Sequence, residues 1–130
     1  MATFKGTISL SSTDLLSDTL SFSTNTSVTA SHTTGLARAP ITSTAVGTAS
    51  GQVTLYTGDD YAAIAYLYIK NTDTTATDYI YVYKGGGTDT WLKLAGGDFA
   101  FLPLIADDTL NAYATTSGTV VEWMVVGTDQ

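Results

Sequence analysis

The sequence predicts an all-β protein, a single antiparallel β-sandwich of jelly-roll type with eight or nine strands and an extended Ser/Thr-rich N-terminal region. Apolar and polar residues alternate with period two along most of the chain, and helical spacing is nearly absent. Turn signals separate these segments roughly every 8–12 residues, as in sandwiches and barrels. The acids are eleven Asp and one Glu, and Asp favours turns over helix interiors. An immunoglobulin-like Greek-key sandwich is the alternative topology.

The first fifty residues differ in character from the rest of the chain. Residues 1–50 contain 22 Ser or Thr and carry no net charge, whereas residues 51–130 hold the whole net charge of −7 and twelve of the fourteen aromatic side chains. We therefore divide one domain into N-terminal strands with an extended arm, residues 1–50, and a packed sandwich body, residues 51–130. The neutral, hydroxyl-rich arm suits contact with another protein.

The N-terminal region begins with two predicted strands. From Phe4 to Leu10 every second residue is apolar or Gly, which predicts the first strand. In the second, residues 20–28, the apolar residues share one face with two Thr, and the other face is wholly polar. Thr belongs on strands because its branched Cβ suits a pleated surface. Residues 31–50 read as a loop around Gly35 and Pro40, with a short strand near Ile41.

The body begins with a strand at residues 52–56, and its clearest unit is a predicted hairpin of Tyr61–Lys70 and Tyr79–Tyr83 around a polar connection. One face of this hairpin would bring aliphatic residues together: Ala65, Leu67, Ile69, Ile80 and Val82. The other face would join Ile64 to five tyrosines: Tyr66, Tyr68, Tyr79, Tyr81 and Tyr83. Since both faces are apolar, one is expected to face the core and the other needs a second cover.

The later strands are short and separated by Gly- and Asp-rich turns. They are predicted at residues 91–94, 99–104, 110–115 and 119–126. Pro103 cannot donate a ladder hydrogen bond, so its strand is expected at an edge or to end there. The segment from Thr119 to Val126 is apolar on both faces apart from Glu122, which predicts a central strand or one pressed against a partner.

Side chains that could carry out catalysis are few and poorly arranged. The chain has no Cys, one His and one Arg. His32 follows Ser31, but neighbouring strand residues point to opposite faces, so the pair is not expected to act together. The doublets Asp59–Asp60 and Asp107–Asp108 lie where turns are expected, and a calcium site in such loops is the alternative interpretation. We predict no enzyme activity, no cofactor, no metal and no catalytic residue.

The surplus of aromatic side chains predicts a binding surface. Tyr and Trp are enriched in interface cores, and an exposed patch of five tyrosines would be large for a monomer. Burial by a partner or by the N-terminal arm is therefore preferred, and stacking on sugar rings is the alternative. The predicted interface residues are Phe4, Phe22, Tyr66, Tyr68, Tyr79, Tyr81, Tyr83, Trp91 and Trp123.

Residues 52–127 also carry a family resemblance in the order of their strand and turn sequences. The segments are Tyr61-Ala62, Tyr68-Ile69-Lys70-Asn71, Tyr79-Ile80-Tyr81-Val82, Leu94-Ala95-Gly96-Gly97-Asp98-Phe99, Leu102-Pro103-Leu104, Leu110-Asn111-Ala112 and Gly118-Thr119-Val120-Val121-Glu122-Trp123. In this order they resemble small β-sandwich structural proteins of tailed bacteriophage particles, of the marine and cyanobacterial type. The resemblance implies a non-enzymatic virion protein, commonly a capsid decoration (cement) protein, otherwise a tail or fibre component.

The resemblance implies the major capsid protein, or another virion protein, as partner, and a place on the capsid exterior after assembly in the host cytoplasm. We also expect a homo-oligomer, preferably a trimer, formed through the face of Tyr66, Tyr68 and Tyr81 or through Val120–Val126. The net charge of −7 disfavours nucleic acid, and the longest apolar run, nine residues, is too short to cross a membrane as a helix. A carbohydrate-binding module or tail-fibre adhesin is the alternative function.

Overall fold

The computed structural model describes residues 2–13, 20–85, 87–105 and 109–129, without the side chains of residues 59, 61–64, 105 and 129. These residues form eleven β-strands and one short 3-10 turn, Gly58–Asp60, and no helix among them has the length and apolarity needed to cross a membrane. The strands are β1 (Ala2–Ser12), β2 (Leu20–Ala30), β3 (His32–Thr33), β4 (Ala37–Ile41), β5 (Val53–Thr57), β6 (Tyr61–Asn71), β7 (Ile80–Lys84), β8 (Thr90–Leu94), β9 (Phe99–Ile105), β10 (Thr109–Ala114) and β11 (Thr119–Asp129).

All strand pairs are antiparallel, and they form three sheets. Strands β1 and β2 make a two-stranded sheet, β5-β10-β7-β8 a four-stranded sheet, and β3-β11-β6-β9 a five-stranded sheet in which β4 also pairs with β11. The larger two sheets face each other as a sandwich, so the predicted all-β class is confirmed. Strand β4 is the short strand expected near Ile41, whereas β3 lies where the sequence indicated a loop, and the total exceeds the expected eight or nine.

The core lies between the two larger sheets and follows the alternation in the sequence. Ala65, Leu67 and Ile69 of β6 are fully buried, as are Ile80 and Val82 of β7. Their neighbours in sequence point outward because successive side chains of a strand alternate between faces. Burying one such aliphatic side chain contributes about 1.5–3 kcal/mol relative to leaving it exposed, so this double layer is the main source of stability.

Strands β6 and β7 do not form the predicted hairpin. Strand β6 pairs with β11 and β9 in one sheet, and β7 pairs with β10 and β8 in the other. Residues 72–79 therefore carry the chain from one sheet to the other. The aliphatic residues of the two strands do share the core, as facing layers and not as cross-strand pairs. Consequently Tyr66 and Tyr68 lie on the opposite outer surface from Tyr79 and Tyr81.

Two predictions about individual strands are confirmed. Strand β9, which contains Pro103, is an edge of the five-stranded sheet, and β11 is an interior strand with β6 on one side and β3 and β4 on the other. The core face of β11 includes Val121 and Val125, both fully buried. Its outer face carries Glu122, Met124 and Val126, which pair in register with Lys70, Tyr68 and Tyr66 of β6.

Strands β1 and β2 form a long hairpin outside the sandwich. All eleven residues of β1 pair with β2, from Ala2 opposite Ala30 to Ser12 opposite Leu20. The hairpin meets the body on the outer face of the five-stranded sheet, where Phe4 contacts Phe101 of β9. Strand β4, although within the first fifty residues, belongs to the body, since Ile41 is fully buried in its core.

Candidate functional site

The N-terminal hairpin has one apolar and one polar face, because its register keeps the alternation of both strands in phase. Phe4 lies opposite Val28, and Leu10 lies opposite Phe22. Directly paired residues of an antiparallel ladder point to the same side. The largely apolar face carries Ala2, Phe4, Gly6, Ile8, Leu10, Ser12, Leu20, Phe22, Thr24, Thr26, Val28 and Ala30. The opposite face carries only Ser, Thr, Asn25 and Lys5, so one side of this ribbon suits water and the other suits a protein surface.

The half of the hairpin nearest its chain ends uses the apolar face to cover the body. The rings of Phe4 and Phe101 lie 6.1 Å apart between centroids, and Phe101 stacks on Tyr66 at 5.7 Å with planes 12° apart. The Thr26 hydroxyl donates a hydrogen bond of 3.4 Å to the Tyr66 hydroxyl. Offset aromatic pairs add about 0.5–1.5 kcal/mol to the burial of their area, so this end of the hairpin is anchored.

The other half of the same face is left open. Ile8, Leu10 and Phe22 have exposed fractions of 36%, 55% and 51%. We call these three residues the hairpin tip. Large apolar side chains exposed together mark contact surfaces more often than a single exposed Leu does. Phe99 and Leu36 are more exposed one by one, but the tip places three such side chains on one face of a ribbon, which suits it to bind another chain.

A groove opens at one edge of the body, between the edge strands β8 and β9 of the two sheets. It holds a cavity of about 310 Å³, and Trp91 in its wall is 45% exposed. The lining, apart from Lys84, is apolar or aromatic: Tyr56, Trp91, Leu102, Pro103, Leu104 and Leu110. Pro103 also lines a second cavity of about 200 Å³ beneath the hairpin, together with Ile8 and Phe101. The Trp91 groove and the cavity beneath the hairpin are thus neighbours that share Pro103.

A polar cluster lies beside the hairpin seat on the outer face of the five-stranded sheet. Glu122 is only 7% exposed, and Arg38 pairs with it through both Nη2 and Nε, the latter at 2.5 Å from Oε2. The Tyr68 hydroxyl donates to Oε1 at 2.9 Å. These hydrogen bonds, from Arg38 first and Tyr68 second, lower the pKa of Glu122. Both carboxylate oxygens are occupied, so the cluster fixes β4, β6 and β11 to one another.

The tyrosines of the four-stranded sheet form a separate surface. Tyr81 and Tyr113 stack at 5.0 Å with planes 10° apart, and Tyr79 lies 6.3 Å from Tyr81. The Lys93 ammonium sits 3.8 Å from the centre of the Tyr79 ring. Burial, followed by the nearby Tyr81 and Tyr83, raises the pKa of Tyr113. Because these rings cover one another or are covered by Lys93, their flat faces are largely occupied within the chain.

The nine predicted interface residues fall into six places. Tyr83 is 1% exposed beneath the loop after β4 and donates to Gln52 Oε1, and Trp123 packs against the core. Phe4, Tyr66 and Tyr68 lie at or beside the hairpin seat, and Tyr79 and Tyr81 belong to the opposite surface. Phe22 is in the tip, and Trp91 in the groove. The structure brings Phe4 and Tyr66 together through Phe101, and it separates both from Tyr79.

Sequence reasoning missed Phe101, Pro103 and Leu10 as parts of this surface. Alternation in the sequence places Leu10 and Ile8 on the apolar face of a strand, but it does not indicate which positions of that face the body leaves uncovered. Phe101 was placed on a strand without a role. The signal that could have found it is Gly6, whose missing side chain at a strand position indicates a close approach by another group.

The polar residues considered for catalysis or metal binding are not brought into a common site. His32 is half-buried and lines a cavity of about 560 Å³ between the base of the hairpin and β11. Asp60 is exposed in the 3-10 turn, whereas the Asp59 side chain and the doublet Asp107–Asp108 lie outside the described residues. Within the described part of the chain no group of three or more His, Cys, Asp or Glu could hold a metal ion.

Together these features define an all-β sandwich that carries a partly docked, partly exposed hairpin arm. Comparison of the chain with protein-family models, with curated proteins and with solved structures found no match.

Proposed function

We propose that this protein is a non-enzymatic structural protein of a tailed-bacteriophage particle, and specifically a capsid decoration (cement) protein that binds and stabilises the head lattice. Its partner would be the major capsid protein, on the exterior of a capsid assembled in the host cytoplasm. No cofactor is needed, because such a protein acts by burying surface between neighbouring chains. Many equivalent sites on a symmetric lattice allow one surface to be used repeatedly.

The observation that carries the proposal is the exposed hairpin tip. A two-stranded ribbon is at best marginally stable by itself, yet here it reaches beyond its seat on Phe101 with Leu10 and Phe22 more than half exposed. A surface of this kind becomes stable when another chain covers it, as the body already covers Phe4. An arm that docks on other chains is what a lattice-binding protein requires.

The charge distribution supports the same role. Strands β1 and β2 carry a single charged residue, Lys5, whereas the net charge of −7 arises in residues 51–130. The connection between these strands adds Asp14 and Asp18. An arm with so few charges can approach other protein surfaces at low electrostatic cost, and an acidic body facing water keeps a crowded particle soluble. The arm would therefore face the particle, and the body would face outward.

The sequence segments that carry the resemblance stabilise two turns of this chain through hydrogen bonds. Asn71 is fully buried, and its side-chain amide donates to the carbonyls of Asp78 at 2.7 Å and Leu94 at 3.2 Å. The amide of Gly97 donates to the Asn71 carbonyl at 3.1 Å. Asp98 accepts from the amide of Ala95 at 3.1 Å. These contacts join two turns at one end of the sandwich, which supports a scaffold role for the resembling segments.

The strand order supports a jelly-roll topology over the immunoglobulin-like alternative. Strands β4 to β11 divide into β4-β11-β6-β9 and β5-β10-β7-β8. Every connection between them passes from one sheet to the other except that between β7 and β8. Such an eight-stranded double sheet is the jelly-roll arrangement, which occurs among viral capsid proteins and lectins.

The test is occupancy of purified particles by arm variants. Leu10→Asp places a charge on the exposed apolar face, and Ser9→Asp places the same charge on the polar face one residue away. We expect Leu10→Asp to lower the number of copies per particle and Ser9→Asp to leave it unchanged. Quantitative mass spectrometry of the particles measures both. Equal occupancy by the two variants, or absence of the wild-type chain from the capsid, would reject the proposal.

Carbohydrate binding is the second candidate, and exposed Trp91 is the observation that favours it. An indole in the wall of a groove can stack on a sugar ring, and the neighbouring Lys84 could donate a hydrogen bond to a hydroxyl. A glycan-array signal lost in Trp91→Ala and retained in Thr90→Ala would establish this function. Absence of any signal from the wild-type chain would remove it.

A further inference from the structure

We propose that the hairpin tip of one copy occupies the Trp91 groove of a second copy, so that neighbouring copies are joined by their arms. This inference rests on the proposed function only in treating the hairpin as the docking element. It identifies the other chain that covers the tip as a neighbouring copy on the particle, and the receiving site as the opening between β8 and β9, which leaves the rest of the arm to face the particle.

The tip and the groove are matching halves of one interface. The tip offers Leu10 and Phe22 on a neutral ribbon, and the groove offers a largely apolar wall with Trp91 at its entrance. Its cavity of about 310 Å³ is at the lower end of the range in which proteins bind compact groups. Aromatic side chains that enter such pockets are the usual centres of binding energy in interfaces.

Within one chain, both the hairpin tip and the Trp91 groove remain uncovered. Its own hairpin is held above β9 by Phe4 and Gly6 on Phe101, and in that position Leu10 and Phe22 remain 55% and 51% exposed while Trp91 remains 45% exposed. A neighbouring copy can supply the missing cover to each. Because Pro103 lines both the hairpin cavity and the groove, an incoming tip would extend a contact that the fold already uses.

Charge favours a second copy reached through the arm over direct contact between bodies. Two bodies that each carry the acidic excess of residues 51–130 repel each other, and this repulsion falls with the distance that an intervening arm with few charges provides. In the groove, Lys84 is the single charged side chain of the lining. The three tip residues carry no charge, and Asp14 and Asp18 in the connection between β1 and β2 are opposite in sign to Lys84, so docking creates no like-charge pair with it.

The geometry of tip and groove sets the kind of assembly. They are different surfaces of one chain, so the contact is head-to-tail and builds a ring if the rotation between copies closes, such as the expected trimer. Two copies that exchange tips reciprocally form a closed dimer instead. Either assembly brings several copies to a lattice at once, which raises avidity without any new contact.

The experiment measures self-association of the purified full-length chain by analytical ultracentrifugation over a range of concentrations, without particles. Phe22→Asp disables the tip and Trp91→Asp disables the groove. Ser21→Asp and Thr90→Asp are the matched controls, each one residue away with the same added charge. We expect the first two to weaken association about tenfold or more, as loss of a central interface residue does, and the controls to behave as the wild type. Unchanged circular dichroism and melting show that each variant is folded.

A mixing experiment separates this contact from other modes of association. Phe22→Asp keeps an intact groove and Trp91→Asp keeps an intact tip, so an equimolar mixture should form mixed complexes that neither variant forms alone.

A monomeric wild type at the highest soluble concentration, or variants that associate as well as the controls, would overturn the inference. Wild-type association without particle binding would leave this inference standing and reject the decoration function. A chain that is monomeric, binds particles and cross-links only to another virion protein would support the decoration function and reject the contact between tip and groove.

Discussion

The ring of Phe101 lies directly beneath Gly6. A Cβ atom added to Gly6 would stand 2.8 Å from Cζ of Phe101, a distance that carbon atoms do not tolerate without movement. Phe101 is held in place from the other side by its stack on Tyr66, at 5.7 Å between centroids. The absence of a side chain at Gly6 is therefore what allows β1 to rest on β9, and it sets the height at which the whole arm crosses the sheet.

Replacing Gly6 with Val should lift the hairpin from its seat. Overpacking of a close contact costs typically about 1–3 kcal/mol, and the ribbon has few other contacts to offset that loss. We expect faster amide hydrogen exchange throughout β1 and β2, with little change in the sandwich core, because the core does not include this contact. Hydrogen exchange followed by mass spectrometry measures both regions.

The control for Gly6→Val is Thr7→Val, which introduces the same side chain on the polar face of β1 and should leave exchange unchanged. Adding Phe101→Ala to Gly6→Val should restore part of the protection, because it removes the atoms that the new side chain meets. A double-mutant cycle would then give a coupling free energy between the two positions. Additive effects of the two substitutions would show that Phe101 is not what Gly6 accommodates.

The sequence predicted strands and their faces well because both depend on local alternation. Val121 and Val125 are buried as expected, and Pro103 does mark an edge strand. Alternation does not specify which strand becomes a neighbour, and this is why β6 was paired with β7 incorrectly. The polar residues between them suit a hairpin turn or a crossing between sheets equally, and the choice is made by the contacts of β6 with β9 and β11.

The candidate site was only partly predictable for a related reason. The apolar face of β2 was evident, and Phe22 was expected in an interface. Whether a residue on that face is covered depends on how far the ribbon extends beyond the sheet beneath it. Val28 is half-buried and Phe22 is half exposed, although the two belong to the same alternating pattern. The end of β2 that holds Val28 leads into β3, which pairs with β11, so the difference depends on a strand some ninety residues away in the sequence.

Asn71 should be essential for the stability of the sandwich. Its side-chain amide donates to the carbonyls of Asp78 and Leu94, and its Oδ1 accepts from the amide of Asp73 at 3.1 Å. Asn71→Ala leaves these groups without their partner, and each buried unsatisfied group costs about 1–3 kcal/mol. We expect a loss of about 3 kcal/mol in the free energy of unfolding, measured by urea denaturation.

Thr74→Ala, in the exposed part of the same connection, is the control for Asn71→Ala and should change stability by less than about 0.5 kcal/mol. The loss of stability in Asn71→Ala should be large because the turns that contain Thr75 and Gly96 are packed closely against each other. The backbone at Gly96 approaches the Thr75 carbonyl too closely for a side chain, so the turns have little room to rearrange. An Asn71→Ala protein as stable as Thr74→Ala would show that these hydrogen bonds are replaced by water.

Acid should destabilise the fold in part through Glu122. Hydrogen bonds from Arg38 and Tyr68 lower its pKa below the ordinary value of 4.5 in the folded state. The ionised carboxylate is therefore favoured by folding, so its contribution is fully present above pH 4.5 and is lost as the pH falls through the folded pKa. Glu122→Gln should give a flatter dependence of the unfolding free energy on pH in this acidic range.

Denaturant unfolding at a series of acidic pH values measures that dependence. Asp60→Asn makes the same change in net charge on an exposed turn and controls for the general effect of charge. Arg38→Met should also flatten the curve, since the strongest cause of the lowered pKa is removed. If wild type and Glu122→Gln lose stability in parallel as the pH falls, the role assigned to this carboxylate is incorrect.

Alkaline conditions should act through the opposite side of the molecule, at Tyr113. Burial, and then the proximity of Tyr81 and Tyr83, raises its pKa above the ordinary value of 10.0. The neutral phenol is favoured by folding, so its contribution is fully present below pH 10.0 and is lost as the pH rises through the folded pKa. Tyr68 has a raised pKa as well, through burial first and its hydrogen bond to Glu122 second, so the wild type should lose stability from both sites.

Tyr113→Phe removes one of these two ionisations and keeps the ring that stacks on Tyr81. We expect the variant to retain more of its stability than the wild type when the pH is raised past 10.0, and to lose the corresponding late step in the phenolate absorbance of the folded protein. Tyr81→Phe removes one of the neighbouring charges, so it should shift that step to lower pH without removing it. A late step of full amplitude in Tyr113→Phe would assign it to another tyrosine, because the stacked ring without its hydroxyl cannot ionise.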